Sequence, residues 1–152
     1  MTEEVTPLFY EDIKLGESAV TSKVTIEESE MVKFAAGYDP VPIHMDPECA
    51  AKTRYGKLIA PGVMVFMLVW ARYIKETDYA GEQLIAGRST SMEWIKPVFA
   101  GDTVYGRVHV TSLEPRNPYN GNVEITIDVY NQNEELVLTD VTLAVVARRL
   151  KK

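Results

Sequence analysis

The sequence predicts an α+β fold in which one long apolar helix is covered by an antiparallel β-sheet. Residues 63–70 are apolar on nearly every side of a helix, so this helix must be buried. Three later stretches, 103–113, 123–129 and 137–145, alternate apolar and polar residues as half-buried strands do. The predicted helices come before most of the strands, and strands joined by short turns pair in antiparallel fashion. The sheet therefore has to curve around the helix.

Composition is that of an ordinary globular protein. The chain has 152 residues, 46% hydrophobic and 25% charged, which suits a single domain over residues 1–152. A net charge of −6 without clustered Lys and Arg argues against nucleic acid as a partner. The longest apolar run is far below the ~20 residues that cross a bilayer, and the acidic N-terminus lacks a signal-peptide core, so no membrane partner is expected. Cys49 alone cannot form a disulfide within the chain, which fits a cytoplasmic location.

The chain is predicted to open with an arm and a strand. Residues 1–16 form an extended N-terminal arm that Phe9, Ile13 and Leu15 can anchor to the body. Residues 18–24 form the first strand.

Two short helices are predicted next. Thr25 and Glu28 match a capping box, and the apolar spacing that follows predicts a helix ending at Gly37. Asp46 caps a second helix that begins with a proline and an acidic residue and runs to about Lys52.

The apolar helix and the sheet make up the rest of the chain. The helix begins at Pro61-Gly62, runs to about Lys75 and is expected to be buried along most of its length. Four strands follow, with Asn120-Gly121 as a hairpin signal. Their predicted ranges are 89–95, 103–113, 123–129 and 137–145.

The stretch between the predicted helices holds the residues most suited to chemistry. Asp39 and Val41 each precede a proline, so residues 39–44 should form a stiff extended loop. Such a loop can hold the carboxylate of Asp39 and the imidazole of His44 toward one point, as acid–base chemistry requires.

This stretch resembles the hydratase motif of the MaoC-like, (R)-specific enoyl-CoA hydratases. That motif runs Asp-x-Asn-Pro-x-His-x-Asp, then a small helix, then Ile-Ala-His-Gly-Met. Here it reads Asp39-Pro40-Val41-Pro42-Ile43-His44-Met45-Asp46, followed by Ile59-Ala60-Pro61-Gly62-Val63. The later segment 92–102 resembles the family's strand and its Pro-Val-x-x-Gly-Asp turn. The resemblance implies a hot-dog fold, a long central helix wrapped by a curved antiparallel sheet, that usually pairs into dimers.

The resemblance also implies a reaction and its catalytic residues. Members of the family add water to 2-enoyl thioesters or remove it from 3-hydroxyacyl thioesters, reactions of fatty acid metabolism. Asp39 and His44 would act on one bound water, and the backbone N–H of Gly62 would stabilise the enolate oxygen. Two family positions differ, because Val41 replaces an asparagine and Pro61 a histidine.

The expected partner is an acyl thioester of coenzyme A or of acyl carrier protein. Arg54, Lys57 and Arg88 are candidates to meet its negative charges, with Lys96 beside them. The acyl group would lie against residues around Gly62 and on the central helix, namely Pro61, Val63, Phe66 and Trp70. A homodimer or larger homo-oligomer is expected, because one domain of this size covers so apolar a helix only with difficulty.

Two other functions fit the same residues. A thioesterase would direct the water at the carbonyl carbon, although such enzymes often carry a carboxylate on the central helix and none lies between Gly62 and Lys75. The missing asparagine leaves open a non-catalytic binder or partner subunit. No metal or cofactor is expected. A metal site would need His109 to reach His44 and Asp46 from a distant strand, and His109 lies with Arg107 on the polar face of that strand.

Overall fold

The computed structural model describes residues 8–77 and 81–150 and contains one antiparallel sheet with three helices. Its elements, in chain order, are β1 Ser18–Val20, β2 Val24–Thr25, α1 Glu28–Tyr38, α2 Pro47–Ala51, α3 Gly62–Thr77, β3 Leu84–Trp94, β4 Thr103–Pro115, β5 Asn120–Tyr130 and β6 Leu136–Ala147. The strands lie in the order β1-β4-β5-β6-β3, with β2 also pairing with β4. The predicted α+β architecture is confirmed.

The helix α3 lies against one face of this sheet. Register places the side chains of Val108 and Ile127 opposite each other, and both are buried on the face that α3 covers. Gly106 lies two residues before Val108 on the same face of β4. A Cβ atom at Gly106 would be 2.5 Å from Cγ1 of Val69 on α3. A glycine is therefore needed where the helix presses most closely on the strand. On the opposite face of β4, Arg107 and His109 are exposed, so the predicted alternation and the solvated position of His109 are confirmed.

The prediction that α3 is buried along most of its length is wrong for one stripe. Val65 and Val69 are 1% and 0% exposed, but Val63 and Met67 are 48% and 47% exposed. The reason is that a sheet covers only one side of a helix, and α2 and its flanking loops do not reach the other side. An apolar stripe therefore remains uncovered in a single chain.

The helix α1 begins and ends at residues other than those predicted. Thr25 is paired in β2, where its hydroxyl lies 2.9 Å from that of Thr103, so it does not cap the helix, and Glu27 is the N-cap without a side-chain hydrogen bond. Gly37 lies within the helix, which continues to Tyr38. The helix stops because Pro40 disfavours the α region for Asp39, whose φ and ψ are −152° and 69°. The predicted cap of α2 is confirmed, since Asp46 accepts from the Glu48 N–H at 3.0 Å.

The N-terminal segment is less extended than predicted. Residues Tyr10–Asp12 form a single 3-10 turn, and the first seven residues of the predicted arm lie outside the described residues. Ile13 is buried as expected, but Leu15 is 66% exposed beside a turn at Gly16, so it anchors nothing. The predicted first strand is split into β1 and β2, because the hydroxyl of Thr21 accepts the Gly106 N–H in place of a ladder bond.

The β4–β5 connection also differs from its prediction. Asn120-Gly121 already belongs to β5, with Gly121 opposite Pro115, and the chain reverses over residues 116–119. The side chain of Asn117 accepts the N–H groups of Tyr119 and Asn120 and so holds this turn.

Candidate functional site

A pocket of about 430 Å³ opens where the loop after α1, the start of α3 and the end of β3 meet. Apolar side chains form most of its wall, including Val98 and Leu138. Four of the predicted site residues line it, namely Asp39, His44, Gly62 and Val63. The fold thus brings the proposed acid–base pair and the start of the central helix to one cavity.

The loop that carries the pair is turned rather than fully extended. It leaves α1 at Asp39 and forms a single 3-10 turn at Pro42–His44, since a proline with its fixed φ readily begins such a turn. The backbone of Val41 steadies it, donating to the Asp39 carbonyl at 2.7 Å and accepting from the His44 N–H at 2.9 Å. The side chain of Val41 is 44% exposed. Backbone hydrogen bonds therefore brace the loop at the position where the family usually has an asparagine.

The orientation of His44 is fixed from both sides of its ring. Nδ1 lies 2.5 Å from the carbonyl oxygen of Ile59, and Nε2 lies 3.3 Å from Oδ2 of Asp39. A carbonyl only accepts hydrogen bonds, so Nδ1 carries a proton. Nε2 and Oδ2 form a hydrogen bond only if one further proton is shared between them. The His44 side chain is 11% exposed and that of Asp39 40%, so the carboxylate is the member open to a small molecule from solvent.

The carbonyl that orients His44 belongs to a segment tied to the sheet end. Ile59 donates its N–H to Ile43 at 3.1 Å and forms an antiparallel bridge with Phe99, and Ala60 donates to the Val98 carbonyl at 2.7 Å. The imidazole is thus held by backbone that is itself hydrogen-bonded. A side chain so positioned can exchange protons without losing its place.

Gly62 is the first residue of α3 and lies against an aromatic side chain. A Cβ atom at this position would be 1.8 Å from Nε1 of Trp94. Pro61 is buried, and its carbonyl accepts the Val65 N–H at 3.2 Å, which begins the helix. The N–H groups of the first helical turn have no partner within the helix, so they face the pocket end of α3.

Other predicted site residues lie away from the pocket wall. Phe66 is 7% exposed, and its ring centroid is 6.0 Å from that of the half-buried Trp70. Arg88 is exposed in the middle of β3. These three residues do not line the pocket in the single chain.

Of the predicted cationic residues, Lys96 lines the pocket, whereas Arg54 and Lys57 do not and contact aromatic rings instead. The guanidinium of Arg54 lies 4.9 Å from the ring of Tyr55 and donates to its hydroxyl, which raises the pKa of Arg54. The ammonium of Lys57 lies 4.3 Å from the ring of Phe99. Lys96 lines the pocket and forms an ion pair with Glu135, whose pKa is lowered by this hydrogen bond.

Two aromatic contributors to the pocket were missed by sequence reasoning. Trp94 and Tyr55 both line it. Trp94 lies within the later motif that resembles the family, but only the fold brings it to Gly62. Among residues 8–77 and 81–150, no three His, Cys, Asp or Glu side chains are grouped as a metal site requires.

Comparison with known proteins decides the family. A family model described as "MaoC like domain" matches residues 12–133 of the chain. The chain belongs to the MaoC-like family. It is 29% identical over 125 residues to the uncharacterised protein YdeM of Bacillus subtilis, covering 82% of this chain and 88% of YdeM. It is 34% identical over 112 residues to an (R)-specific enoyl-CoA hydratase of Rhodospirillum rubrum, covering 73% and 75% of the two chains.

Solved structures show the same hot-dog fold. A MaoC-like dehydratase of Rhodospirillum rubrum superposes with a TM-score of 0.81 at 28% identity, over 95% of this chain and 99% of that one. A Mycobacterium tuberculosis protein with a double hot-dog fold superposes with a TM-score of 0.79 at 16% identity, over 94% of this chain and 45% of that one. A monoamine oxidase regulatory protein of Archaeoglobus fulgidus superposes with a TM-score of 0.87 at 29% identity, over 94% of this chain and 96% of that one. Hydratases and 3-hydroxyacyl dehydratases are among the relatives, at 26–34% identity. The hot-dog fold and the family expected from the resemblance are therefore confirmed. No helix in the described part of this MaoC-like chain has the length and apolarity to cross a bilayer.

Proposed function

We propose that this MaoC-like protein is a hydratase or dehydratase that interconverts 2-enoyl and 3-hydroxyacyl thioesters. The observation that carries the proposal is the contact of 3.3 Å between Nε2 of His44 and Oδ2 of Asp39 at the wall of an apolar pocket. Hydration needs a base for water, an acid for the α carbon and a donor for the thioester oxygen. We assign these tasks to Asp39, His44 and the N–H of Gly62, three residues that line the same pocket.

The proton count suggests how the pair divides its work. Nδ1 of His44 is occupied by the Ile59 carbonyl, so only Nε2 takes part in transfer. In hydration, Asp39 accepts a proton from water as the water oxygen bonds to the β carbon. The proton held at Nε2 goes to the α carbon. The proton that Asp39 took from water then moves to Nε2, which restores the starting state. Dehydration runs the same steps in reverse.

The developing negative charge lies on the thioester oxygen. The N–H of Gly62 and the positive end of the α3 dipole are placed to stabilise it. Removing one such donor in other enzymes typically costs about 3–4 kcal/mol of barrier.

We further propose that the carrier is coenzyme A, with acyl carrier protein as the alternative. Arg54 packs on the ring of Tyr55, which lines the pocket, and Lys57 packs on the ring of Phe99, which follows the pocket-lining Val98. Both cations would meet the phosphates of a carrier there. Arg88 would reach the carrier only across a subunit boundary, since it lies on the sheet edge. Pro61 and Val63 would contact the thioester end of the acyl group. Phe66 and Trp70 lie further along α3, beyond the pocket wall of the single chain, and would limit the length of an acyl group that extends past that wall.

We infer that the protein works as a homodimer. In the described ranges, β3 pairs only with β6, and nearly all of its side chains are exposed, Ile85 at 53% among them. The half-exposed Val63 and Met67 on α3 add a second apolar surface. An exposed strand edge beside apolar side chains is an association surface, and a second copy of the chain fits it by symmetry. Sedimentation at low micromolar concentration should show a species larger than the 17.1 kDa monomer, and a monomer alone would contradict the dimer.

The cytoplasmic location stays a prediction.

A panel of thioesters tests the proposal. Purified protein is incubated with enoyl and hydroxyacyl thioesters of increasing chain length, on coenzyme A and on acyl carrier protein. Loss or gain of the conjugated double bond is scored separately from release of free thiol. Hydration without thiol release is the expected result. Thiol release without hydration would replace the proposal with a thioesterase, and binding without either would leave a non-catalytic binder.

A further inference from the structure

The indole of Trp94 lies unusually close to the backbone of Gly62. A Cβ atom built on Gly62 would be 1.8 Å from Nε1 and 2.3 Å from Cδ1 of this indole. Atoms at such distances overlap, so only a glycine allows the ring to lie where it does. Trp94 is the last residue of β3 and Gly62 the first of α3, so the contact joins the two elements at the mouth of the pocket.

These distances place the indole nitrogen near the Gly62 N–H. A Cβ atom lies about 1.5 Å from its own Cα and about 2.5 Å from its own backbone nitrogen, so Nε1 is at most about 3.3 Å from the Gly62 Cα and at most about 4.3 Å from the Gly62 nitrogen. In an α-helix, both the N–H bond and the Cα–Cβ direction lean toward the N-terminus. The backbone N–H and the indole nitrogen therefore lie on the same side of the first helical turn. Two donors no more than about 4.3 Å apart are close enough to reach one oxygen at hydrogen-bond distance.

The indole N–H has no acceptor among the residues that the structure describes, and Trp94 is 58% exposed. An indole nitrogen is a donor only. Trp94 also lines the pocket that contains Asp39 and His44. A donor with no protein acceptor thus lies beside the proposed thioester site.

We propose that Trp94 is a further catalytic residue, whose indole N–H and the Gly62 N–H together bind the thioester oxygen. This inference rests on the hydratase function proposed above. In the bound thioester, both hydrogen bonds to the carbonyl oxygen are already made, but they are weak because the oxygen carries little charge. As water adds to the β carbon, negative charge moves onto the oxygen and both hydrogen bonds strengthen, so they stabilise the transition state more than the substrate.

The test is Trp94→Phe, which keeps an aromatic ring and removes the donor. We expect kcat for hydration to fall about 10- to 100-fold while KM changes by less than about threefold, because the lost interaction is made mainly in the transition state. Tyr119→Phe is the matched control, since it removes a polar hydrogen from an exposed aromatic residue in the β4–β5 turn, far from the pocket, and should keep the wild-type kcat. Thermal melting of each variant confirms folding.

A spectroscopic measurement separates donation from packing. The saturated acyl-CoA of the preferred chain length, labelled with ¹³C at the carbonyl, binds but cannot be hydrated. Its carbonyl stretching frequency should be lower in the wild type than in Trp94→Phe, because a hydrogen bond weakens the C=O bond.

The outcomes are distinct. A lower kcat together with the carbonyl shift supports the proposal. Wild-type kcat in Trp94→Phe overturns it, and so does a fall in kcat without a carbonyl shift, which would mean that Trp94 only packs. If the wild type hydrates no thioester, the proposed function fails, and this inference fails with it. If the wild type hydrates and Trp94→Phe does so equally, only this inference fails.

Discussion

Two regions of the molecule use carboxylates in opposite ways. At one end, Arg149 binds Asp12 through two hydrogen bonds of 2.6 and 2.7 Å, which engage both carboxylate oxygens. At the pocket, Asp39 contacts His44 through one oxygen only, and the described residues offer no partner to the other. A carboxylate whose two oxygens are both bound to a permanent cation is a poor proton acceptor. Asp39, which faces an imidazole through one oxygen and leaves the other oxygen free, can accept a proton from a bound molecule.

The two regions also differ in how the chain brings them together. The first forms a clasp, in which Glu11 and Asp12 bind Arg148 and Arg149 from the other end of the chain. The guanidinium of Arg149 also lies 4.9 Å from the ring of Phe9. The pocket pair is only five residues apart and depends on one backbone carbonyl for its orientation. We therefore expect changes in the clasp to alter stability and changes in the pocket to alter activity.

The largest expected effect comes from removing proton transfer at the pocket. Asp39→Asn and His44→Gln keep size and most hydrogen bonding, so each should lower hydration about 10²–10⁴-fold with little change in melting temperature. Because the two residues act as a unit, the double variant should be scarcely slower than the slower single one. Steady-state kinetics and thermal melting measure both quantities. Full activity in either folded single variant would show that the pair is assigned wrongly.

A smaller loss is expected from filling the space at Gly62. Gly62→Ala places a methyl group where the indole of Trp94 lies, so the ring must move and the thioester site changes shape. Hydration should fall about 10- to 100-fold, less than the roughly 10²–10³-fold loss typical of removing one donor, because the N–H of residue 62 remains. Gly37→Ala is the control, because a Cβ there meets nothing within 4 Å and alanine favours the helix α1. That variant should keep its activity and melt at a slightly higher temperature, whereas equal activity in both would contradict the crowding at Gly62.

The clasp should give a modest effect on stability alone. Asp12→Asn removes the charge that pairs with Arg149, and surface ion pairs contribute little, so the melting temperature should fall by about 2–4 °C. Hydration should be unchanged. The control Glu114→Gln removes an exposed carboxylate on β4 that has no ion pair within the described ranges, and it should melt like the wild type. A loss of activity in Asp12→Asn would show that the clasp also affects the reaction, against the expected separation of the two regions.

The smallest expected effect is a pH dependence of the difference in melting temperature between the wild type and Asp12→Asn. Hydrogen bonds from Arg149, and next from the Phe9 N–H, hold the pKa of Asp12 below its usual value of 3.8. A carboxylate with a lowered pKa in the folded state stabilises the protein above its unfolded pKa and loses this contribution as pH falls through its folded pKa. The melting difference between wild type and Asp12→Asn should therefore be constant near neutral pH and shrink below about pH 4. A difference that persists undiminished at lower pH would mean that packing holds the clasp.

Local chemistry made much of this protein predictable from its sequence. The period of two in the strands and the all-round apolar run of α3 are properties of neighbouring residues, and they predicted the sheet and the helix it covers. Proline restricts its own φ and the residue before it, so the loop carrying Asp39 and His44 was predictable as a fixed segment. The cap at Asp46 followed from the same local logic.

Only the tertiary structure decided how these parts meet. The carbonyl of Ile59 that orients His44, the indole of Trp94 against Gly62 and the clasp between the two chain ends all join residues that are distant in sequence. The exposed stripe at Val63 and Met67 likewise depends on which side of α3 the sheet leaves uncovered. Such contacts depend on strand order and on the space left after packing, and neither leaves a pattern in any short window of sequence. The sequence therefore identified the groups able to exchange protons, and the fold determined which groups orient them and which donor lies beside them.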